Sequence, residues 1–299
     1  MQNLTRREFL NTTVAGAGLL ASVPLVRAEI PAATRGAELV PLGRTGLKVT
    51  RLAQGTGYKG YNRSSAHTRQ GKEAFDRLLH HSLQRGIRFL DMADLYGSHP
   101  LIKDVIQGVP RQELTLLSKI WPRKESWVTP SGGAKEEVQR YCQELGAERL
   151  DVCLIHCMTN EQWPTEFAGI RDELSALKEK GTVGAVGVSC HDLGALKVAA
   201  AHPWVDVIFA RINHKGGKAF ACDGTVEEVS LVLKTARANG KAVVGMKIFG
   251  AGKLITPEEK VASLRHVFHN GLVDAVTIGM LNPAEVDDTL QCLDQALAT

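Results

Sequence analysis

The chain has 299 residues, 44% of them hydrophobic and 23% charged, which excludes a disordered, collagenous or multi-span membrane protein. Aromatics make up only 5% while glycine occurs 29 times, so the core is expected from Val, Leu, Ile and Ala against closely approaching backbone, as in repeated βα packing. A formal charge of +4, with no Lys/Arg block longer than two residues, leaves no footprint for nucleic acid.

Residues 1–28 read as an address. Thr5-Arg6-Arg7-Glu8-Phe9-Leu10 is charged, Val14 to Val26 is an uncharged apolar run, and Val26-Arg27-Ala28 offers small residues where a signal peptidase reads. The run is too short to cross a bilayer, which takes about 20 residues, so no stable membrane span is expected after cleavage. The paired arginines before Phe-Leu resemble a twin-arginine (Tat) signal, which exports folded proteins. The expectation is a Tat-type signal peptide at 1–28, the Tat translocase as export partner, and a periplasmic or otherwise exported protein starting at Glu29. Loss of Arg6, Arg7, Arg27 and Glu8 halves the net charge.

From Glu29 on, the chain alternates two kinds of segment. Glu38–Val49, with Gly43-Arg44-Thr45-Gly46 between short apolar runs, reads as a hairpin. Apolar, β-branched runs then predict strands over Arg51–Gly57, Phe89–Ala93, Leu114–Ile120, Leu150–His156, Val183–Ser189, Val207–Asn213, Ala242–Ile248 and Ala275–Gly279. Amphipathic stretches between them predict helices over Gly71–Gln84, Leu101–Gln107, Gly133–Leu145, Trp163–Lys180, Asp192–Ala201, Thr225–Asn239, Thr256–Asn270 and Pro283–Ala298. Thr225 with Glu228, and Thr256-Pro257-Glu258-Glu259, are helix starts; Asn239-Gly240 and Asn270-Gly271 are stops. Strict βα alternation demands parallel strands with right-handed crossovers. Eight units without a Gly-x-Gly-x-x-Gly turn point to a (β/α)8 TIM barrel, residues 29–299, capped by the N-terminal β-hairpin.

Six cysteines lack any Cys-x-x-Cys, and Cys153 and Cys157 on one strand stand about 13 Å apart, beyond disulfide reach. Free thiols are expected. The histidines have no metal-ligand spacing, so no metal is expected.

In this architecture chemistry sits at the carboxyl ends of the strands. Asp91 and Tyr96 follow strand two, Lys119 ends strand three and His156 ends strand four. A lysine inside Leu-Leu-Ser-Lys-Ile needs a partner when buried, and Asp91 one strand away is the obvious one.

These residues resemble the aldo/keto reductase family. Leu42-Gly43-Arg44-Thr45-Gly46-Leu47 looks like its opening hairpin, Gly55-Thr56-Gly57 like its first strand end, and Gly86-Ile87-Arg88-Phe89-Leu90-Asp91 like its second strand. Asp91, Tyr96, Lys119 and His156 fall at the places of its catalytic tetrad. The resemblance implies hydride transfer between NAD or NADP and a carbonyl or alcohol, with Tyr96 as general acid. A lysine ammonium beside the phenol would lower its pKa, Asp91 would keep that lysine charged, and His156 would orient the substrate.

The residues expected around the cofactor, some from the resemblance and some from their own chemistry, are Gly55, Thr56, Ser189, Cys190, Phe209, Met246, Lys247, Gly250, Gly279 and Glu285. Phe209 stands where the family has a Gln, and Met246 where it has a stacking aromatic. Gly250-Ala251-Gly252 offers backbone N–H groups to a pyrophosphate, and Lys247 suits a phosphate better than a Schiff base. Glu285 favours a free ribose hydroxyl and leans the choice toward NAD. Tyr58, Trp121 and Trp127 are expected around a small carbonyl or sugar substrate. The departures at Phe209, Met246 and Glu285 keep a second reading open, an exported non-catalytic barrel acting as a binding or accessory protein.

Overall fold

The computed structural model describes residues 34–123 and 133–298, so the leader expected at 1–28, and Trp127, lie outside the described residues. Strands β1 (Leu39–Pro41) and β2 (Lys48–Thr50) pair antiparallel as the expected hairpin. Parallel strands β3 (Leu52–Gly55), β4 (Phe89–Asp91), β5 (Thr115–Ile120), β6 (Leu150–Met158), β7 (Val183–Cys190), β8 (Val207–Arg211), β9 (Ala242–Met246) and β10 (Ala275–Ile278) close into a barrel. Each strand pairs with its successor, and β10 returns to β3. The outer layer is α1 (Ala66–Arg69), α2 (Lys72–Gln84), α3 (His99–Ile106), α4 (Ala134–Leu145), α5 (Trp163–Glu166), α6 (Ala168–Glu179), α7 (Leu193–Ala201), α8 (Val226–Ala238), α9 (Pro257–His269) and α10 (Pro283–Leu297).

Strands buried on both faces explain the continuous apolar runs. One set of side chains packs between barrel and helices, and a second, including Phe89, Leu117, Leu154, Phe209, Val244 and Ala275, fills the barrel interior. Leu42 and Val49 of the hairpin belong to the inner set and plug its amino end. Because side chains on a strand alternate, the next inward position on each is two residues on. Those positions are Asp91, Lys119, His156, Arg211, Met246 and Thr277. The polar residues begin where the apolar filling stops, at the carboxyl mouth.

Local signals hold where their mechanism is local. Thr225 and Thr256 form capping boxes with Glu228 and Glu259, and Pro257 opens α9. Three features differ from the sequence reading. The segment expected as one helix over Trp163–Lys180 breaks at Phe167 (φ −111°, ψ 30°), whose side chain is buried with the Arg123 guanidinium 5.7 Å from its ring. Helix α1 is extra, a single turn closed by a Ser65–Thr68 capping box. Strand β6 runs past His156 to Met158, with an irregular register against β7 between Ile155 and Met158. All six cysteines are free.

Candidate active site

Asp91, Lys119 and His156 reach the mouth as inward residues of adjacent strands. Tyr96 reaches it on a single helical turn, Asp94–Tyr96, directly after β4. Lys119 Nζ donates to Asp91 Oδ1 and to the Met92 carbonyl at 2.9 Å, and Thr277 Oγ1 donates to Asp91 Oδ2 at 2.8 Å. The ion pair is buried, and both carboxylate oxygens and two of the three ammonium protons have partners, the condition under which such a pair is tolerated. Lys119 Nζ lies 5.1 Å from the Tyr96 ring centre and 5.0 Å from that of Phe209. The Tyr96 hydroxyl is 3.5 Å from His156 Nε2, and Trp121 stands edge-on to His156 at 5.5 Å.

The titration behaviour follows from burial. His156 is held neutral, well below its ordinary pKa, by burial first and then by Lys119, His191, Lys247 and Arg123. Burial raises the Tyr96 phenol well above its ordinary value, and Asp91 and Cys157 push the same way. Burial and the two acidic groups outweigh the expected lowering by Lys119. The Asp91 carboxylate offsets much of the ammonium's pull on the phenol. The Tyr96 hydroxyl keeps its proton at neutral pH, with a neutral imidazole beside it.

Two glycines make room for the phenol. A Cβ on Gly57 would stand 2.2 Å from Tyr96 Cζ, and one on Gly60 would stand 2.6 Å from its Cδ1. Behind the turn, Asp94 Oδ1 accepts from Arg140 at 2.8 Å and pairs with Arg63 at 3.4 Å. Glu144 accepts from both arginines and meets His99 Nδ1 at 3.1 Å, while His99 Nε2 bonds Ser118 next to Lys119 at 2.8 Å. This charged network anchors the Tyr96 turn to α4. None of its members, nor Thr277, carries a local sequence signal, although the inward parity of β10 would have pointed to Thr277.

The residues assigned to the cofactor divide. Gly55 closes on Thr277 and Gly279, where a Cβ would meet Thr277 Oγ1 at 3.0 Å. Thr56 Oγ1 is spent on the Asp91 carbonyl and Ser98, each at 2.9 Å. Ser189 Oγ accepts from the Cys157 N–H at 2.8 Å and keeps its own proton to give. Cys190 packs in the outer core, and Phe209 is wholly buried inside the barrel beneath Lys119. Met246 is half-buried at the mouth. Lys247 is half-buried at φ 59° with no carboxylate partner among the described residues, and Asn213 Nδ2 donates to its carbonyl at 3.1 Å. Gly250, Ala251 and Gly252 take consecutive left-handed angles of 58°, 57° and 89°. Tyr58, expected in the substrate wall, lies against this turn and Gly279, 3.1 Å from a Cβ on Gly252 and 3.2 Å from one on Gly279. Glu285 closes the start of α10, accepting from the Leu281 N–H at 2.8 Å and Asn282 Nδ2 at 3.0 Å. His156 Nδ1 and Trp121 Nε1 are buried without a partner among the described residues, which a polar ligand would satisfy.

The Aldo/keto reductase family profile matches residues 55–270. The chain is 23% identical over 191 residues to the NADH-specific methylglyoxal reductase of Escherichia coli (strain K12), covering 58% of each protein. It is 30% identical over 114 residues to an aldo-keto reductase of Mycolicibacterium paratuberculosis, covering 36% of each. The chain thus spans from about a third to three fifths of the length of these curated relatives. Among solved structures, a Pseudomonas aeruginosa protein provisionally assigned as an aldo-keto reductase superposes with a TM-score of 0.72 at 23% identity, over 90% of this chain and 99% of that one. The holo form of an aldo-keto reductase from Bacillus halodurans gives 0.66 at 19%, over 86% and 90%. At these identities the structural likeness shows the fold.

Proposed function

The chain belongs to the aldo/keto reductase family, and from that premise we propose that it is an NAD(P)-dependent oxidoreductase in which Tyr96 donates the proton to a substrate carbonyl. The observation that carries this reading is the Tyr96 hydroxyl, 3.5 Å from a neutral His156 and above a buried Lys119–Asp91 pair, at the carboxyl mouth. His156 Nε2 orients the carbonyl oxygen toward the Tyr96 O–H, and Lys119 stabilises the phenolate left behind. Trp121 closes one wall over His156.

The donor set fits a nicotinamide dinucleotide. Lys247, without a carboxylate partner among the described residues, and the left-handed turn Gly250–Gly252 suit a pyrophosphate, Ser189 has a hydroxyl proton for a carboxamide, and Met246 offers a soft face to a ring. When bound, that cofactor supplies or accepts the hydride. Glu285 places a carboxylate at the helix start that would otherwise attract a 2′-phosphate, which favours NAD. The NADH-specific relative is in line with this preference. A small carbonyl compound is the proposed substrate.

The test has two parts. Mass spectrometry of natively purified protein is expected to find bound NAD, or NAD binding by tryptophan quenching. Tyr96→Phe is then expected to keep cofactor binding and lose at least about 100-fold in turnover. Unchanged turnover removes Tyr96 from the mechanism, and no nucleotide binding at all favours the accessory-protein reading. Export through the Tat route at residues 1–28 is part of the proposal, and cell fractionation with Arg6→Lys/Arg7→Lys checks it. A precursor still cleaved and exported in that variant would refute it.

A further inference from the structure

Cys157 occupies an unusual place. β6 and β7 pair regularly up to Ile155 and Val188, the register then shifts, and pairing resumes between Met158 and Cys190. Cys157 sits in that irregularity at φ 69°, a left-handed angle that non-glycine residues adopt mainly where surrounding bonds enforce it. Those bonds are present: its N–H donates to Ser189 Oγ at 2.8 Å, and its carbonyl accepts from Arg123 at 3.1 Å. The bulge turns the thiol sideways and leaves Sγ 2.9 Å from His191 Nδ1.

The surroundings are cationic. Burial nevertheless raises the Cys157 thiol above its ordinary value, against the pull of Arg123 and Arg211, and keeps His191 neutral, so the proton leaves sulfur only as sulfur forms a new bond. Arg211 donates to the His191 carbonyl at 2.7 Å, and its charge is met by Asp223. Arg123 stacks on Trp121, with its guanidinium carbon 5.4 Å from that ring centre, and neither it nor Lys247 has a carboxylate partner among the described residues. Four of the six cysteines are buried, and only Cys142 and Cys157 are half-buried. Cys142 has no imidazole contact among the described residues, so it serves as an internal reference.

We propose that Cys157 and His191 form a nucleophilic thiol–imidazole dyad that reacts with anionic low-molecular-weight disulfides. The Sγ proton passes to His191 Nδ1 as sulfur attacks the disulfide. One half of the reagent stays on Cys157 as a mixed disulfide and the other leaves as a thiolate, which takes up the proton. The Cys157 sulfur is oxidised and the departing half reduced, so no further oxidant enters. Arg123, bonded to the Cys157 carbonyl, draws in a negatively charged reagent.

The native full-length chain is treated in parallel with dianionic dithiobis(nitrobenzoate) and dicationic cystamine, quenched at intervals and mapped by peptide mass spectrometry. Cys157 is expected to react with the anionic reagent about tenfold faster than Cys142, and to lose most of that preference toward cystamine or in molar salt. His191→Gln is expected to slow Cys157 about tenfold and leave Cys142 unchanged. Cys142 reacting as fast as Cys157, or cystamine matching the anionic reagent at Cys157, overturns the proposal. The wild-type mapping decides this without any variant having to fold, and it is independent of hydride transfer.

Discussion

Gly57→Ala isolates the placement of the phenol. The new Cβ would stand 2.2 Å from Tyr96 Cζ and 2.3 Å from Cε2, and on the other side Gly60 has space only for hydrogen, since a Cβ there would be 2.6 Å from Cδ1. Ordinary carbon contacts lie at about 3.5–4.0 Å, so the ring must move by roughly 1 Å. The backbone at Gly57 is outside the left-handed region, and alanine itself is therefore accepted. Overpacking of this kind costs about 1–3 kcal/mol of stability. Misplacing a reacting group by about 1 Å costs on the order of 100-fold in rate, or roughly 2.7 kcal/mol in the barrier. The assay is steady-state consumption of NADH with a panel of small aldehydes, alongside circular dichroism. The expected result is a folded protein whose kcat falls about 100-fold while KM changes by less than about threefold. A folded Gly57→Ala protein with wild-type kcat would refute the argument that the phenol must sit where the two glycines allow.

Lys119→Met leaves Asp91 buried with only Thr277 and should lower stability by about 3–5 kcal/mol in urea unfolding, more than the double variant with Asp91→Asn. A single variant as stable as wild type would show that the pair is solvated. His67 is buried and titrates at about 4, down from 6.5, because burial disfavours its charge. Its contribution is complete above pH 6.5 and is lost as pH falls through about 4, a difference of roughly 3 kcal/mol. His191, lowered to about 3, adds in the same direction. Denaturant unfolding from neutral pH to pH 4 should therefore show a shallower decline in His67→Gln, and equal slopes would count against His67. Glu285→Gln keeps groups able to close α10 but removes the charge, and should tighten NADPH binding relative to NADH about fivefold by tryptophan quenching. No change in the ratio would separate Glu285 from cofactor choice. Arg140→Met leaves Asp94 and Glu137 facing each other without that guanidinium and should loosen the Tyr96 turn, read as a lower melting temperature together with a lower kcat.

Much of the site was legible because each strand carries its own parity. Once Leu117 is inward, Lys119 is inward too, and the same step leads from Phe89 to Asp91 and from Leu154 to His156. Tyr96 was legible as the residue at the end of the turn that follows β4. The direction of its pKa was not, because the sign depends on how completely Asp91 neutralises Lys119 and on how much of the phenol is covered. The break at Phe167 was likewise invisible, since the residue fits a helix by pattern and leaves it only to bury its ring beneath Arg123.

By itself, the sequence determined the alternation of strands and helices, their caps, and the inward residues at each strand end, because those depend on neighbours a few positions away. Only the tertiary structure decided the contacts that cross from strand to strand. Thr277 meets Asp91 across 186 residues, the two glycines and Arg140 hold Tyr96 from elements that spacing does not relate, and a register shift aims Cys157 at His191. Barrel closure brings β10 beside β3 and so Thr277 to Asp91, the pairing of neighbouring elements sets the other distances, and no periodicity within a single strand encodes them.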